Sequence, residues 1–416
     1  MQSLNDIYTR LVKAAIQNKT QEELKNISEL SFDAHQLDCL LHPEKYAPVW
    51  RVEDCRCSDE KGGSCSVTCL FDAIEKDEKG NTVINKDLCV GCSECIDSCK
   101  AKKLVDSKDI LPALEAVHSA KGPVFAMIAP AFISQFSEQV TPGKLRSAFK
   151  QLGFAGMAEV ALFADILTLK EALEFDRTIL EERDFLLTSC CCPLWIEMIR
   201  KIYRQFVPHV PGAVSPMVAC GRAIKQLEPD AVTIFVGPCI AKKAEAREPD
   251  IADAVDFVLT FQEVRDIFEF AEINPTDMED DPRDHSSRAG RIYARTGGVS
   301  EAVKSTVERI NPNREIVVRT QQANGMRECK EMLNAIREGR ISANFIEGMG
   351  CAGGCVGGPK AILDREEGRD NVNHYGDQAI YATPIDNPYV IDLLHKLGFD
   401  TVESLLEHSD IFTREF

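Results

Sequence analysis

The chain has 416 residues and a formal net charge of -18, with 48 lysines and arginines against 66 aspartates and glutamates. Because this length exceeds the roughly 250–300 residues at which one hydrophobic core stops growing, we expect at least two domains. The acidic balance argues against nucleic acid and anionic lipid as partners, since their phosphates would be repelled. A hydrophobic share of 44% beside 27% charged residues excludes a largely disordered chain.

The cysteine content points to metal. The first residues lack a basic and then apolar signal, and no apolar run approaches the roughly 18–20 residues of a membrane span, so we expect a cytoplasmic protein without such a span. Seventeen cysteines in a cytoplasmic chain indicate metal ligands or buried thiols, because the cytosol keeps thiols reduced. Eight of them lie between Cys55 and Cys99, which indicates a metal-binding region there.

Residues 1–48 are predicted to be a helical segment, since Leu4, Ile7 and Leu11 recur at the spacing of one helix face. Residues 49–104 are predicted to form a ferredoxin-like two-cluster domain. Their short polar, glycine-containing connections suit a region that is held together by its metals rather than by a large core.

Two cysteine runs in this region predict two 4Fe-4S clusters. The second run follows the CxxCxxCxxxC spacing of two-cluster ferredoxins, in which the fourth cysteine reaches the other cluster. The first run is irregular, with gaps of one, seven and three residues. The ferredoxin crossover assigns one cluster to Cys55, Cys57, Cys65 and Cys99, and the other to Cys69, Cys89, Cys92 and Cys95. Zinc is the alternative metal, although the interleaved spacing suits one tetrahedral ion poorly. Nearby, Lys100, Lys102 and Lys103 form either a docking spot for an acidic electron carrier or a solvated face.

The rest of the chain has an α/β pattern. Strand-like runs such as Val124–Ile128 and Val232–Val236 alternate with helical stretches such as Ile166–Leu180 and Val299–Ile310. This alternation favours largely parallel strands, with sites at the loops past the strand ends. The segment Asn274–Ser287, rich in acidic residues and proline, is predicted to be an exposed insertion or linker between two lobes.

Three later motifs combine cysteine with glycine or proline: Thr188–Trp195 (TSCCCPLW), Gly237–Glu245 (GPCIAKKAE) and Glu347–Pro359 (EGMGCAGGCVGGP). Together they offer four thiolates for a third cubane, and the glycines permit close approach of the backbone to a bulky inorganic group. For any single one of these cysteines, the alternative is a buried, inert thiol.

In this order and spacing, the three motifs resemble the signature loops of the FeFe-hydrogenases, over about residues 50–370. The resemblance implies a two-lobed α/β hydrogenase domain at residues 105–416, with an H-cluster between the lobes. The H-cluster is a 4Fe-4S cubane that is linked to a diiron unit carrying carbonyl, cyanide and an azadithiolate. The implied cubane ligands are Cys192, Cys239, Cys351 and Cys355, of which Cys355 also bridges to the diiron unit.

The resemblance also implies roles beside the cluster. Cys191 aligns with the thiol that exchanges protons with the bridging amine, which leaves Cys190 as an extra cysteine. An alternative register makes Cys191 the ligand. Lys242 aligns with the lysine that pairs with a cyanide, and Met349 aligns with the methionine over the diiron unit. We expect Lys243 to be an ordinary surface residue.

Small residues implied to line the cluster are Pro130, Ala131, Gly237, Pro238, Thr296, Gly297 and Gly298. Gly237 stands where the family usually has methionine, and Met217 stands where it usually has glutamine. These departures, with the triple cysteine, indicate a divergent branch.

Glu171 and Glu174 fit the two relay carboxylates of the family, at i and i+3 on one helix face, although a solvated face is the alternative. The family's relay serine aligns with Pro211, and its helix arginine has only Arg177, one place off, so the proton path is expected to differ. The remaining cysteines Cys39, Cys220 and Cys329 are expected to be small buried hydrophobic residues.

We therefore predict a hydrogenase that reversibly reduces protons to dihydrogen, with electrons relayed through the two 4Fe-4S clusters. The implied partners are a small electron carrier such as ferredoxin and maturation proteins for the diiron unit. The alternatives are a non-catalytic relative of the iron-sulfur assembly type and a low-turnover hydrogen sensor.

Overall fold

The computed structural model describes residues 3–28, 32–55, 64–188 and 191–416. Cys57 and Cys190 lie outside the described residues. The chain opens with three helices, α1 (Leu4–Ile16), α2 (Thr20–Ser28) and α3 (Ala34–Leu41). A capping box begins α1, because the Ser3 hydroxyl accepts from the Asp6 N–H while the Asp6 carboxylate accepts from the Ser3 N–H.

The cysteine-rich region, residues 49–106, has short elements around a very small core. These are β1 (Val49–Arg51), α4 (Ser64–Thr68), β2 (Ile74–Lys76), β3 (Thr82–Ile84), α5 (Glu94–Ser98) and β4 (Leu104–Asp106). β1 pairs antiparallel with β4, and β2 with β3. The buried core consists of Val49, Cys65, Cys95 and Leu104. Two of these four side chains are cysteines, so apolar packing alone gives this region little stability.

Past this region, helices and strands alternate. They are α6 (Ile110–Ser119), β5 (Val124–Ile128), α7 (Pro142–Gln151), β6 (Gly156–Glu159), α8 (Ala161–Thr178), β7 (Leu186–Leu187), α9 (Pro193–Lys201), α10 (Pro216–Leu227), β8 (Val232–Gly237), α11 (Ala241–Glu245), β9 (Phe257–Thr260), α12 (Phe261–Phe270), α13 (Arg288–Arg291), α14 (Gly298–Ile310), β10 (Thr320–Asn324), α15 (Met326–Arg337), β11 (Phe345–Met349), α16 (Arg365–Asp377) and α17 (Pro388–Lys396).

Two parallel sheets organise this part of the chain. One sheet has the strand order β6-β5-β8-β9, and the part of the chain around it is called the first lobe. The other sheet has the order β10-β11-β7, and the part around it is called the second lobe. The prediction of parallel strands alternating with helices is confirmed. The strand predicted at Val124–Ile128 is β5, and the helix predicted at Ile166–Leu180 lies within α8 except for its last two residues.

The segment Asn274–Ser287 is held more firmly than a linker. The Lys144 ammonium donates to the Thr276 carbonyl at 2.7 Å, and Lys150 donates to Asp281 at 2.8 Å, so the segment lies along α7. Its last residue, Ser287, is fully buried and donates its backbone N–H to Asp165. The prediction of an exposed linker is therefore wrong at this end, because the Asp165 carboxylate holds the chain where α13 begins.

Each lobe has its own hydrophobic core. The first-lobe core surrounds β5 and β8 and takes in Ile7, Leu11 and Val12 of α1, which packs on α6 and α12. The second-lobe core surrounds Trp195 and Phe345. The N-terminal helices thus share the core of the first lobe. The division of the chain at residues 48 and 104 stays a prediction.

The strand ends fix the positions of the three cysteine motifs. β7, β8 and β11 each run directly into one of them, so the motif loops lie past the carboxyl ends of strands from both sheets. In the part of the chain that the structure describes, every helix is too short or too polar to cross a membrane.

Candidate functional site

Four thiols gather where these strands end. Burial raises the pKa of the Cys351 thiol well above its ordinary value, and the neighbouring Cys239, Cys192 and Cys355 raise it further. Burial, with Cys239 and Cys192 as neighbours, raises the pKa of Cys355 to about 12. The backbone N–H of Gly350 donates to the Cys192 sulfur at 3.3 Å. The structure therefore brings together the four cysteines that the resemblance implies as cubane ligands.

Backbone packs closely against the third motif loop. The Thr296 N–H donates to the Gly353 carbonyl at 3.1 Å, and a Cβ added to Gly354 would lie 2.6 Å from the Thr296 nitrogen. Gly297 has a positive φ of 82° and donates its N–H to the buried Glu347 at 2.7 Å. A Cβ at Gly298 would lie 1.8 Å from the Ile292 carbonyl oxygen. The segment 296–298 is thus built into the wall of the site, and only glycine fits at its last position.

Two loops of the first lobe carry the other residues that were predicted to line the cluster. Pro130 and Ala131 lie just past the end of β5, and Ala131 is buried. A Cβ at Gly237 would lie 2.7 Å from the Phe235 ring and 3.1 Å from the Ala129 Cβ. The Phe235 ring would thus have to move if any larger side chain replaced Gly237. The Pro238 carbonyl accepts from the Lys360 N–H at 3.0 Å, which ties the second motif loop to the third.

Cys191 and Cys192 have different surroundings. Cys192 contributes to the raised pKa of the thiols at positions 239, 351 and 355. Burial raises the pKa of the Cys191 thiol well above its ordinary value, and Cys192 and Glu171 are the next contributors. Glu347 and Cys355 also contribute to the raised pKa of Cys191. Cys192 thus acts on all three of the other motif thiols, whereas Cys191 has carboxyl groups as well as thiols among its neighbours. This arrangement favours the register with Cys192 as the ligand.

Lys242 is buried and paired. Its ammonium lies 2.6 Å from a Glu245 carboxylate oxygen, and both side chains are under 10% exposed. Burial lowers the pKa of Lys242, but Glu245 outweighs this effect, and the pKa is raised above its ordinary value. Glu245 was not predicted from the sequence. It lies three residues after Lys242 in the second motif, a spacing at which two helix side chains can form an ion pair.

The expectation that Lys243 is an ordinary surface residue is wrong. Lys243 is 0% exposed, and its ammonium donates to the Val258 carbonyl at 2.8 Å and lies 3.1 Å from a Glu263 carboxylate oxygen. Consecutive helix residues point about 100° apart, so α11 directs Lys242 and Lys243 toward different partners.

The two candidate relay carboxylates differ in exposure. Glu171 is 1% exposed, so it does not belong to a solvated face. Glu174 is half-buried and lies 4.0 Å from Arg177, whose side chain is 54% exposed. Pro211 is buried and has no hydroxyl to offer. Only the first of the two carboxylates therefore lies in the interior beside Cys191.

The N-terminal cysteines fall into two groups. A cavity is lined by Cys69, Cys89, Cys92 and Cys95 together with apolar side chains. Burial raises the pKa of Cys65, and Cys99 and Cys55 act on it as neighbouring thiols. Peptide N–H groups point at sulfur in both groups, from Ala73 to Cys69 and from Lys103 to Cys99. These are the groupings that the ferredoxin crossover predicts, with Cys57 outside the described residues.

One N-terminal group of cysteines adjoins the four thiols of the three later motifs. Gly91 has a positive φ of 71°, and a Cβ there would lie 3.0 Å from the Ala241 Cα. Cys92 is among the neighbours that raise the pKa of Cys351, and both residues line one groove of about 660 Å³. The group of Cys69, Cys89, Cys92 and Cys95 is therefore the one next to the four motif thiols.

Among the described residues, no group of three or more His, Cys, Asp or Glu side chains is arranged to hold a single metal ion. The four sulfurs around a cubane lie farther apart than those around one ion, because each binds a different iron. Buried thiols, sulfur-directed N–H groups and glycine-cleared backbone are a donor set that fits iron-sulfur clusters.

The other cysteines and lysines are placed as follows. Cys39, Cys220 and Cys329 are buried, as predicted, and the Cys329 thiol donates to the Met349 carbonyl at 3.4 Å. Met349 and Met217 are both buried. Lys100 and Lys102 are exposed, whereas Lys103 pairs with Glu53.

Residues 122–359 match the sequence model of a family described as "Iron only hydrogenase large subunit, C-terminal domain". Iron hydrogenase 1 of Clostridium pasteurianum is 29% identical over 275 residues, which cover 56% of this chain and 48% of that protein. The chain thus spans about half the length of that relative.

Cytosolic iron-sulfur assembly component 3 of Pongo abelii is 26% identical over 345 residues, 68% of this chain and 72% of that protein. Among solved structures, FeFe-hydrogenase HydA1 from Chlamydomonas reinhardtii matches with a TM-score of 0.60 at 21% identity. That match covers 73% of this chain and 98% of the solved chain, and it establishes the fold alone.

Proposed function

Because the chain belongs to the iron-only hydrogenase large-subunit family, we propose that it is a hydrogenase that reversibly reduces protons to dihydrogen at an H-cluster. One observation carries this proposal. The four implied ligands converge while a fifth thiol, Cys191, lies beside the buried carboxyl group of Glu171. A plain cubane needs four thiolates and has no use for this neighbouring pair.

Cys192, Cys239, Cys351 and Cys355 would hold the cubane, and Cys355 would also hold the diiron unit. When bound, the H-cluster supplies the redox chemistry that makes and breaks the hydrogen–hydrogen bond. The protein contributes buried side chains such as Ala131 and Met349, and the segment 296–298 lets the backbone approach.

Cys191 holds and transfers a proton. Its thiol is free for this task because Cys192 serves as the ligand, and a ligand thiolate cannot also act as the acid. Glu171 supplies the proton from inside the protein. Lys242 would present its ammonium to an anionic ligand of the diiron unit, and Glu245, 2.6 Å away, orients that ammonium. Each of these groups is fixed by the packed elements around it.

Residues 49–104 would hold two 4Fe-4S clusters, which would supply electron transfer to the site. Cys69, Cys89, Cys92 and Cys95 would hold the one nearer to the motif thiols, because Gly91 and Cys92 adjoin the motif loops. Cys55, Cys57, Cys65 and Cys99 would hold the other. An acidic carrier such as ferredoxin docks near the exposed Lys100 and Lys102.

The test is an infrared spectrum and one variant. Anaerobically matured protein should show bands of bound carbonyl and cyanide and should evolve hydrogen from a low-potential donor. Cys191→Ala should keep those bands and lose about 10²–10⁴-fold in turnover, the usual contribution of a positioned acid.

Cys220→Ala is the matched control, because Cys220 is a fully buried thiol in α10 of the first lobe. It should leave turnover within a few-fold of wild type. A Cys191→Ala enzyme that turns over at the wild-type rate would refute the assigned role of Cys191.

A second candidate function is that of an iron-sulfur assembly component. It is favoured by the relative of that name, which matches a larger share of this chain than Iron hydrogenase 1 does. This candidate predicts intact cubanes without carbonyl or cyanide bands after maturation. The infrared spectrum therefore decides between the two functions.

A further inference from the structure

A cavity lies along the edge of the first-lobe sheet, away from the motif residues. β6 is the edge strand of this sheet, and residues 155–159 line a cavity of about 330 Å³. Side chains from α7, α8 and α10 complete its wall. This volume falls within the roughly 300–1,000 Å³ that is usual for small-molecule sites. Within the described ranges of the chain, its lining includes no cysteine and no residue of the three motifs, so the proposed function leaves it unexplained.

One part of the wall is apolar. It consists of Phe125 on β5, Met157 on β6, Leu162 and Phe163 on α8, and Ile224 on α10. Met157 and Phe163 are buried, whereas Leu162 and Ile224 are half-buried beside the cavity. An apolar chain placed against these side chains would be removed from water, which favours binding.

Another part of the wall is cationic, and its cations outnumber the carboxylates that pair with them. Arg146, Lys150 and Arg283 line the cavity. Lys150 and Arg283 share the Asp281 carboxylate, at 2.8 and 3.6 Å, while Arg146 lies 3.2 Å from Glu159. Three cations thus share two carboxylates, which leaves one positive charge uncompensated on a chain whose net charge is -18. A local surplus of this sign attracts a monoanion.

Arg146 also has a donor that no neighbour uses. The residue is only 3% exposed, and its two terminal nitrogens donate to the Asp281 carbonyl and to the Glu159 carboxylate. Its Nε has no hydrogen-bond partner among the described residues. A buried N–H of a charged group costs stability when it lacks an acceptor. An anion bound in the cavity would supply that acceptor.

We propose that this cavity binds a small organic anion, a carboxylate joined to an apolar chain. The carboxylate accepts a charge-assisted hydrogen bond from the Arg146 Nε and offsets the surplus positive charge. The chain lies against the apolar wall around Met157 and Ile224. This inference goes beyond the proposed function and does not depend on it, because the cavity involves none of the cluster ligands.

The first test compares three ligands on the wild-type, cluster-loaded protein. Isothermal titration calorimetry should show that octanoate binds at one site. Octanol lacks the charge and acetate lacks the chain, so each should bind at least tenfold more weakly than octanoate. Absence of octanoate binding would overturn the proposal, and so would octanol or acetate that binds as tightly as octanoate.

Two variants test where the anion binds. Arg146→Met removes the donor and the charge, and it should weaken octanoate binding about 10–100-fold, the contribution of a charge-assisted hydrogen bond. Ile224→Trp fills the apolar part of the cavity and should also weaken binding at least tenfold. Because Arg146 keeps its partners in Ile224→Trp, this variant decides the question even if Arg146→Met fails to fold. The control is Arg265→Met, since Arg265 lies in α12 with a side chain that is 52% exposed.

Hydrogen exchange on the wild-type protein gives the location directly. Octanoate should slow exchange in peptides that cover residues 155–163 and should leave the peptides of α12 unchanged. Wild-type affinity in both cavity variants, or slower exchange only in other parts of the chain, would overturn the proposal. A loss of affinity in Arg265→Met as large as that in Arg146→Met would do so too, since it would mark a general effect of charge.

Discussion

The cysteine-rich region and the two lobes are stabilised in different ways. The cysteine-rich region buries Val49, Cys65, Cys95 and Leu104 as its core, so half of that core consists of proposed cluster ligands. The first lobe buries full layers of apolar side chains on both faces of a parallel sheet. In the cysteine-rich region proposed ligands make up half of the core, whereas the core of the first lobe consists of apolar side chains.

This difference changes what each set of thiols requires. The four proposed cubane ligands of the three later motifs follow strands β7, β8 and β11. The positions of these strands are set by packing and by inter-strand hydrogen bonds. They are therefore held in place before any cluster arrives. The described cysteines between residues 55 and 99 lie in loops and short helices, where we expect metal binding to supply most of the folding free energy. We expect the two sets to respond differently to the same perturbation.

The largest expected effect comes from removing iron. Chelation under reducing conditions should abolish the hydrogen-exchange protection of residues 64–104, because little apolar burial remains to hold them. Strands β5 and β8 should keep their protection. Exchange measured by mass spectrometry with and without chelator checks this, and equal loss in both regions would contradict the comparison.

A cavity created in the first lobe should destabilise that lobe and leave the clusters of the cysteine-rich region in place. Phe149 is 1% exposed, with ring centroids 5.1 Å from Phe154 and 5.6 Å from Phe268. Phe149→Ala should lower the free energy of unfolding by about 3–5 kcal/mol, measured by urea titration. The visible absorbance of the clusters in native buffer should not change. Phe149→Leu is the control and should cost clearly less, since it leaves a smaller cavity. Bleached clusters in native buffer would show that the lobes and the cysteine-rich region do not respond separately.

The junction between the regions gives the third prediction. Asp106 at the end of β4 pairs with Lys360 at 2.7 Å and with Lys108 at 2.8 Å, and Lys360 follows the third motif. Asp106→Asn leaves two half-buried ammonium groups without this counter-ion. It should lower the free energy of unfolding of the cluster-loaded protein by roughly 3 kcal/mol. Asp106→Glu keeps the charge and should lose less.

The pH dependence of this effect follows from the sign of the shift. Burial favours the neutral acid, but Lys108 and Lys360 outweigh it and hold the pKa of Asp106 below its ordinary value. The stabilisation is then present above the unfolded-state pKa, about 3.9, and is lost as the pH falls through lower values. The difference between wild type and Asp106→Asn should be constant from about pH 5 to pH 8. A difference that grows with pH across this range would contradict the assignment.

Strand positions were predictable from the sequence because local pattern determines them, whereas the ligand assignment came from the family resemblance and stays a prediction. Val124–Ile128 is an apolar run of strand length, and the motif glycines indicate close backbone approach. Tertiary partners were not predictable in this way. The sequence does not show that Glu263 contacts Lys243, 20 residues away in sequence, or that Tyr293 contacts Thr168, 125 residues away. These contacts depend on how the sheets and helices pack, which the periodicity of the sequence does not predict.

The two adjacent lysines of α11 also limit how this loop can change in length. Lys242 faces Glu245 and the core thiols, while Lys243 binds Val258 and Glu263 in the first lobe. One residue inserted or deleted between Cys239 and these lysines would rotate α11 by about 100° and exchange their partners. A change in the length of this loop would therefore disturb both lysine contacts at once. Alignments of related chains should therefore show no gaps between the second-motif cysteine and the lysine pair.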